Sequence, residues 1–309
     1  MALTRAGLNY HALSVDVEDW FHILQNDEGK QSENWDELES RVSTNTKTIL
    51  DILDQHQTKA TFFALGWVAE KHPEILMMII DRGHEVGSHG YSHKIASEMR
   101  PSEFAKDLDK SLESIYRATK KNVISFRAPG FSVGYFNFWI FEILKSRGIQ
   151  IDSSLFLGPH AHGGIDLDRN RPFEVILPSG EKIVEFPIIS FELLGQKIPF
   201  SGGGYLRLMP TIFAKNMFGF CQYRNQFTVM YVHPRDFDAA QPRLKLSPVR
   251  RFKYYVGLNK FSDKFENILT SFKFGSLSKS LENLVLDKPL FLKENRLEVR
   301  SISRMVTAE

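Results

Sequence analysis

The chain has 309 residues, 42% of them hydrophobic, enough for a real core in one large domain or two small ones. Its 39 basic residues nearly balance 37 acidic ones, so overall charge names no partner and gives no reason to expect nucleic acid. One cysteine, Cys221, excludes an internal disulfide and any cysteine-rich metal site, and its neighbours Phe218, Phe220 and Tyr223 mark it as a small buried hydrophobe.

Ala12 to Val17 alternates as a strand and runs into acid, S-V-D-V-E-D at 14–19. Buried carboxylates need partners, so Asp16, Glu18 and Asp19 are unusual at the end of a core strand. Residues 22–40 read as a long loop. Val42, Thr46, Ile49, Leu50 and Leu53 then follow helical spacing, with Ser43 or Asn45 available as a cap. Lys59–Leu65 is a second strand. His72-Pro73-Glu74 opens a helix that stops at Gly83, and 84–88 is a short strand delivering S-H-G-Y-S-H at 88–93. His89 and His93, four residues apart, can reach one cation from a helical turn or a tight loop.

The pattern then repeats. A helix starts at Pro101 with Phe104, Leu108, Leu112 and Ile115 on one stripe; 123–126 is a strand ending in R-A-P-G-F at 127–131. Phe136–Leu144 is a helix, and Ile149–Ile151 a strand ending in Asp152-Ser153-Ser154. His160 and His162 sit in a glycine-bearing loop that borders the expected cleft. Phe173–Leu177 and 182–189 form a strand pair. Gly202–Gly204 precede a helix near 210–220, without the G-K-[ST] of a phosphate loop. Phe227–Val232 is the last clear strand and ends in His233-Pro234-Arg235-Asp236. Residues 261–286 read as one helical stretch. Between Arg243 and Phe274 eight basic residues face two acidic ones.

Strands and helices alternate, which argues for parallel βα units. Asp16, His89, Arg127, Asp152 and His233 each fall at the C-terminal end of a different strand, and a barrel brings such ends to one face. One carboxylate with two histidines is a catalytic zinc set with an open position for water. A second carboxylate could take a proton from that water, with the arginine holding it ionised. A cationic histidine with an aspartate partner could protonate a leaving amine. The set reads as metal-assisted hydrolysis of an amide.

With these pieces in this order, residues 10–240 resemble the polysaccharide deacetylases of the NodB-homology type, carbohydrate esterase family 4. The tail (G-G-G-Y-L-R at 202–207, Y-Y-V-G-L-N at 254–259) further resembles deacetylases of bacterial exopolysaccharide loci. The resemblance implies a distorted (β/α)7 barrel over residues 1–240, with 241–309 as a helical, basic extension packed on the barrel or on a partner subunit. It implies removal of N-acetyl groups from an N-acetylhexosamine in a surface polysaccharide or its lipid-linked precursor. The cofactor would be one divalent cation, zinc foremost, with cobalt, nickel or manganese as substitutes.

By resemblance, Asp16 is the general base, His89 and His93 are metal ligands, and Arg127 braces Asp16. The Gly130 N–H stabilises the oxyanion, His233 is the general acid with Asp152 as its partner, and Tyr231 or Val232 lines the acetyl pocket. The family's two adjacent aspartates are here separated by Val17. Alternation favours Glu18 as third ligand, and a bulge after Val17 would favour Asp19. Gly130 stands where the family often has an aromatic residue, leaving Phe131 or Trp20 to offer a stacking surface.

Two other functions compete: a small-amide hydrolase of the allantoinase kind on the same fold, and a non-catalytic glycan-binding protein on a degenerate barrel. The missing leader core in residues 1–10 and the lack of a membrane-length apolar run lead us to expect a cytoplasmic protein. Its basic tail could touch an anionic membrane surface, and oligomerisation stays open.

Overall fold

A computed structural model describes residues 10–24, 34–193, 195–282, 284–294 and 296–298. In chain order the first half runs β1 (His11–Val17), α1 (Val42–Gln55), β2 (Thr61–Ala64), α2 (Gly66–Lys71), α3 (Pro73–Asp81), β3 (Glu85–Ser88), α4 (Pro101–Thr119), β4 (Ser125–Phe126), α5 (Ile140–Ser146) and β5 (Ile151–Asp152). Then come β6 (Phe156–Leu157), β7 (Phe173–Ile176), β8 (Lys182–Glu185), β9 (Ile188–Ile189), β10 (Phe191–Leu193), β11 (Gln196–Ile198), α6 (Gly203–Leu208), α7 (Thr211–Tyr223) and β12 (Val229–Val232). The C-terminal part holds α8 (Pro248–Tyr255), α9 (Phe261–Ser271), β13 (Phe274–Gly275), α10 (Leu277–Leu281), β14 (Asp287–Lys293) and β15 (Arg296–Glu298).

The main sheet has the order β12-β1-β2-β3-β4-β5-β8-β7-β14-β15. Every pairing from β12 through β8 is parallel, and from β1 to β5 a helix crosses back between successive strands. The sheet is strongly curved. β4 lies three strands from β1, roughly 14 Å away in a flat sheet. Even so, the Arg127 side chain just after β4 hydrogen-bonds Ser14 and Asp16 of β1 at 2.7 and 2.8 Å. Only a barrel-like wall brings them across.

Strand alternation sorts the core into two layers. In β1, Leu13, Val15 and Val17 pack outward against the helices, while Ala12 belongs to an inner cluster with Phe63, Ile151, Phe186, Val229 and Tyr231. Fully burying each aliphatic side chain contributes about 1.5–3 kcal/mol, so the outward residues anchor the strand and free the inward ones for polar work. Ser14 and Asp16 share Ala12's parity and therefore face the barrel interior. The same rule separates Tyr231, in the inner cluster, from Val232, in the outer one.

Several boundaries differ from the sequence reading. The expected single helix over 261–286 is α9, β13 and α10, because Phe274 and Gly275 add beside His11 and Ala12 of β1. They fill the place that β2 leaves open by starting opposite Ser14. Residue 240 is therefore no break in the sheet: β13 joins β1, and β14 pairs in parallel with β7. The cap of α1 is neither Ser43 nor Asn45. Asp19 reaches in from the end of β1 and accepts hydrogen bonds from the backbone N–H of Arg41 and Val42 at 2.8 and 3.1 Å. Among the described residues no helix is long and apolar enough to cross a membrane.

Candidate active site

The strand ends open into a cleft of about 580 Å3 lined by Asp16, Glu18, His22, His89, His93, Gly130, Phe131, His160, His162, Tyr231, His233 and, on one wall, Arg235, Arg250, Lys253 and Tyr254. Of the residues read from the sequence, Asp16, Glu18, His89, His93, Gly130, Phe131, Tyr231 and His233 meet here. Arg127 stands behind Asp16, wholly buried.

His89 follows β3 directly, and His93 closes the loop with a left-handed backbone, φ +52°. Such a conformation is costly for a residue with a Cβ, and the loop is held by Asp107 of α4, which accepts from the N–H of Tyr91 and Ser92 at 2.7 and 3.1 Å. Glu18 is drawn in by a tight turn, its N–H bonded to the Asp16 carbonyl at 3.0 Å. One Glu18 oxygen lies 2.6 Å from His93 Nε2.

A carboxylate oxygen and ring nitrogens of Glu18, His89 and His93 all lie within 4.8 Å of one another. His89 Nδ1 is 2.8 Å from the Arg127 carbonyl, which can only accept, so Nδ1 carries the proton and Nε2 keeps its lone pair. Burial lowers His89 to about 4, so the ring is neutral near pH 7 and able to ligate. Burial would raise Glu18, but the His93 ring, with His233 and His89, holds its carboxyl well below the usual range. Two imidazoles and one carboxylate in a buried cluster fit a divalent cation of the zinc type.

Asp19 does not belong to this cluster. Its oxygens accept from Trp20 N–H, Ser40 Oγ and the first amides of α1, leaving the carboxylate spent on capping. Trp20 is also elsewhere: its indole N–H donates to the Glu39 carbonyl at 3.0 Å and its ring packs in the outer core. Val232 faces that outer layer too, so Tyr231 alone of the pair reaches the cleft.

Asp16 is held by Arg127 Nη1 at 2.8 Å, with the rest of the guanidinium anchored on Ser14 and Ser153. His233 Nε2 sits 3.3 Å from Glu18 and 3.9 Å from Asp16. Its other nitrogen lies 3.1 Å from Asp236, whose second oxygen pairs with buried Arg207 at 2.9 Å. Arg207 in turn donates to the carbonyls of Lys253, Tyr254 and Val256 beside α8. Burial opposes protonation of His233, but the Asp236 hydrogen bond and charge, with Glu18 and Asp16 behind it, outweigh that and raise it.

Asp152, the partner expected for His233, is not the residue that meets it. Its carboxylate accepts from the Ser154 hydroxyl and N–H at 2.7 and 3.1 Å, and it stands in register with Glu185 on β8. Burial and the Asp152 charge raise Glu185 well above an ordinary carboxyl, and burial also raises Asp152.

Sequence reasoning misses Asp236 and Arg207, although H-P-R-D holds an aspartate three residues after the histidine. That is the spacing of a capping box, and the carboxylate half of one is present: the His233 N–H donates to Asp236 at 2.9 Å. The glycine run carries a second signal. A Cβ on Gly202 would lie 2.1 Å from the Tyr231 ring, and one on Gly203 2.0 Å from Asp236. Close approach of α6 to those two residues requires both glycines.

Comparisons with known proteins show which families and which fold the chain resembles. The family model described as polysaccharide deacetylase matches residues 27–150, and one described as a domain of unknown function, DUF3473, matches residues 153–282. A peptidoglycan-N-acetylglucosamine deacetylase of Bacillus cereus is 31% identical over 107 residues, covering 35% of this chain and 48% of that one. The peptidoglycan-N-acetylmuramic acid deacetylase PdaA of Bacillus subtilis is 27% identical over 106 residues, covering 34% and 39%. The chain thus spans less than half the length of these curated relatives. A solved structure of a Mycobacterium smegmatis protein, assigned to the polysaccharide deacetylases, superposes with a TM-score of 0.62 at 17% identity, over 99% of this chain and 98% of that one. The shared architecture is the distorted (β/α)7 barrel.

Proposed function

We propose that this chain, which carries a polysaccharide deacetylase domain of the NodB type, is a metal-dependent hydrolase of the acetamido group of an N-acetylhexosamine. Its substrate would be a bacterial surface polysaccharide or a lipid-linked precursor of one. The observation that carries this reading is the position of His233, which reaches the Glu18 and Asp16 carboxylates through one nitrogen and Asp236 through the other. A metal-ligating cluster, a braced carboxylate and a cationic histidine thereby share one cleft.

Glu18, His89 and His93 would hold a divalent cation, zinc foremost, and the bound cation would supply Lewis acidity toward the amide carbonyl and water. Asp16 takes the proton of the attacking water as that oxygen adds to the acetyl carbon. Arg127 keeps Asp16 ionised and fixes its direction by a charge-assisted hydrogen bond. The Gly130 N–H faces the oxyanion that forms. His233 then gives its proton to the sugar nitrogen as the C–N bond breaks, releasing acetate and a free amine. Phe131 and Tyr231, edge to face at 4.8 Å between ring centres, form an apolar wall suited to the acetyl methyl.

The test is acetate release from N-acetylated oligosaccharides by chelator-treated and zinc-restored protein. The reading requires release that depends on added metal and falls by at least about a thousandfold in His89→Ala/His93→Ala. Full acetate release by that double variant would sink it.

A further inference from the structure

The catalytic groups balance their own charges, and the cleft holds more cations than they need. Asp16 is matched by Arg127 and Asp236 by Arg207. Glu18 already has three histidines around it and would meet a divalent cation. Arg235 and Lys253 then add positive charge to the same cleft. Arg235 and Lys253 form no ion pair among the described residues.

Arg235 is the deeper of the two. Its guanidinium carbon lies over the Tyr254 ring, 3.8 Å from the centroid, and its Nη1 is buried without a hydrogen-bond partner. A buried N–H of a charged group with nothing to donate to is costly unless a ligand supplies the acceptor. Two positions later than His233, Arg235 is fixed by the same short 3-10 turn as the proton donor. Lys253 stands exposed at the rim, on the helix whose last carbonyls Arg207 holds. Both side chains line the cleft that holds Asp16, Glu18 and His233.

Resting on the deacetylase reading, we propose that the substrate is an anionic glycan: an N-acetylated sugar bearing a carboxylate or phosphate that Arg235 and Lys253 bind next to the catalytic centre. A planar guanidinium presents paired donors that match either oxyanion, and a rim ammonium adds a mobile charge.

The experiment is calorimetric binding at low salt to metal-free protein, so that no cation competes for the anion. The probes are N-acetylglucosamine, its 1-phosphate and the corresponding uronic acid. At least one charged sugar is expected to bind about tenfold or more tightly than the neutral one. Arg235→Gln and Lys253→Gln should each remove most of that preference, and Lys253→Arg should restore it. The charged probe that wins tells phosphate from carboxylate. Equal binding of all three sugars, or a preference untouched in a folded Lys253→Gln, overturns the proposal. Charge-selective binding with no acetate release from any metal-loaded sample would instead contradict the deacetylase reading and leave the anion site standing.

Discussion

The half of the cleft proposed to hold the metal and the half proposed to donate the proton are built in opposite ways. Glu18 follows β1, and His89 and His93 share the loop after β3, so all three are oriented by two local strand ends in the first hundred residues. His233 depends on Asp236, Asp236 on Arg207, and Arg207 on carbonyls at 253, 254 and 256, so its support is assembled from three separated stretches. Local motifs carry the first kind of site in their spacing. The second kind exists only once α6, the turn after β12 and α8 have packed.

The contrast predicts that the two halves fail differently. On the proton-donating side the largest effect should come from Asp236→Asn, which keeps the shape but removes the charge that holds His233 cationic. We expect kcat to fall by about a hundredfold while bound metal is unchanged. The sign of the pH effect follows from the direction of the shift. His233 acts protonated, its affinity for the proton is raised by Asp236, and activity is lost as pH rises through that value. Without Asp236 the alkaline limb of the kcat profile should move to lower pH. A profile that stays in place would mean that Asp236 is structural only.

A smaller and separable effect is expected at Asp19, which the sequence leaves open as a metal ligand. Asp19→Ala removes the cap of α1 and should cost about 1–2 kcal/mol in chemical unfolding. Zinc affinity and the pH profile should stay near those of the parent, because no Asp19 oxygen faces the cluster. Loss of metal with unchanged stability would reverse the assignment.

Much of the metal-ligating half is legible in the amino-acid sequence. Strand ends carrying ionisable groups identify the barrel face, and S-H-G-Y-S-H and R-A-P-G-F supply residues that do meet there. The gaps have physical causes. Glu18 and Asp19 are indistinguishable by pattern because their fates hang on one i to i+2 hydrogen bond after Asp16, which no periodicity reports. Asp152 looks like the partner of His233 only until the sheet order is known, since that order sets Glu185 of β8 in register beside it. Tyr231 and Val232 are neighbours, and alternation allows only one of them inward. The basic charge of the tail is legible in the sequence, but its place at the cleft is not, because α8 reads as part of an appended tail, whereas Lys253 and Tyr254 line the cleft at the strand ends.

The central claim is that Glu18, His89 and His93, without Asp19, form the metal centre. Competitive titration with a chromophoric zinc chelator tests it most directly, on the parent, Glu18→Ala, His89→Ala and Asp19→Ala. The account predicts about one zinc per chain in the parent and in Asp19→Ala, with affinity falling at least about a hundredfold in the other two. Tight stoichiometric binding by Glu18→Ala, together with its loss in Asp19→Ala, would contradict it.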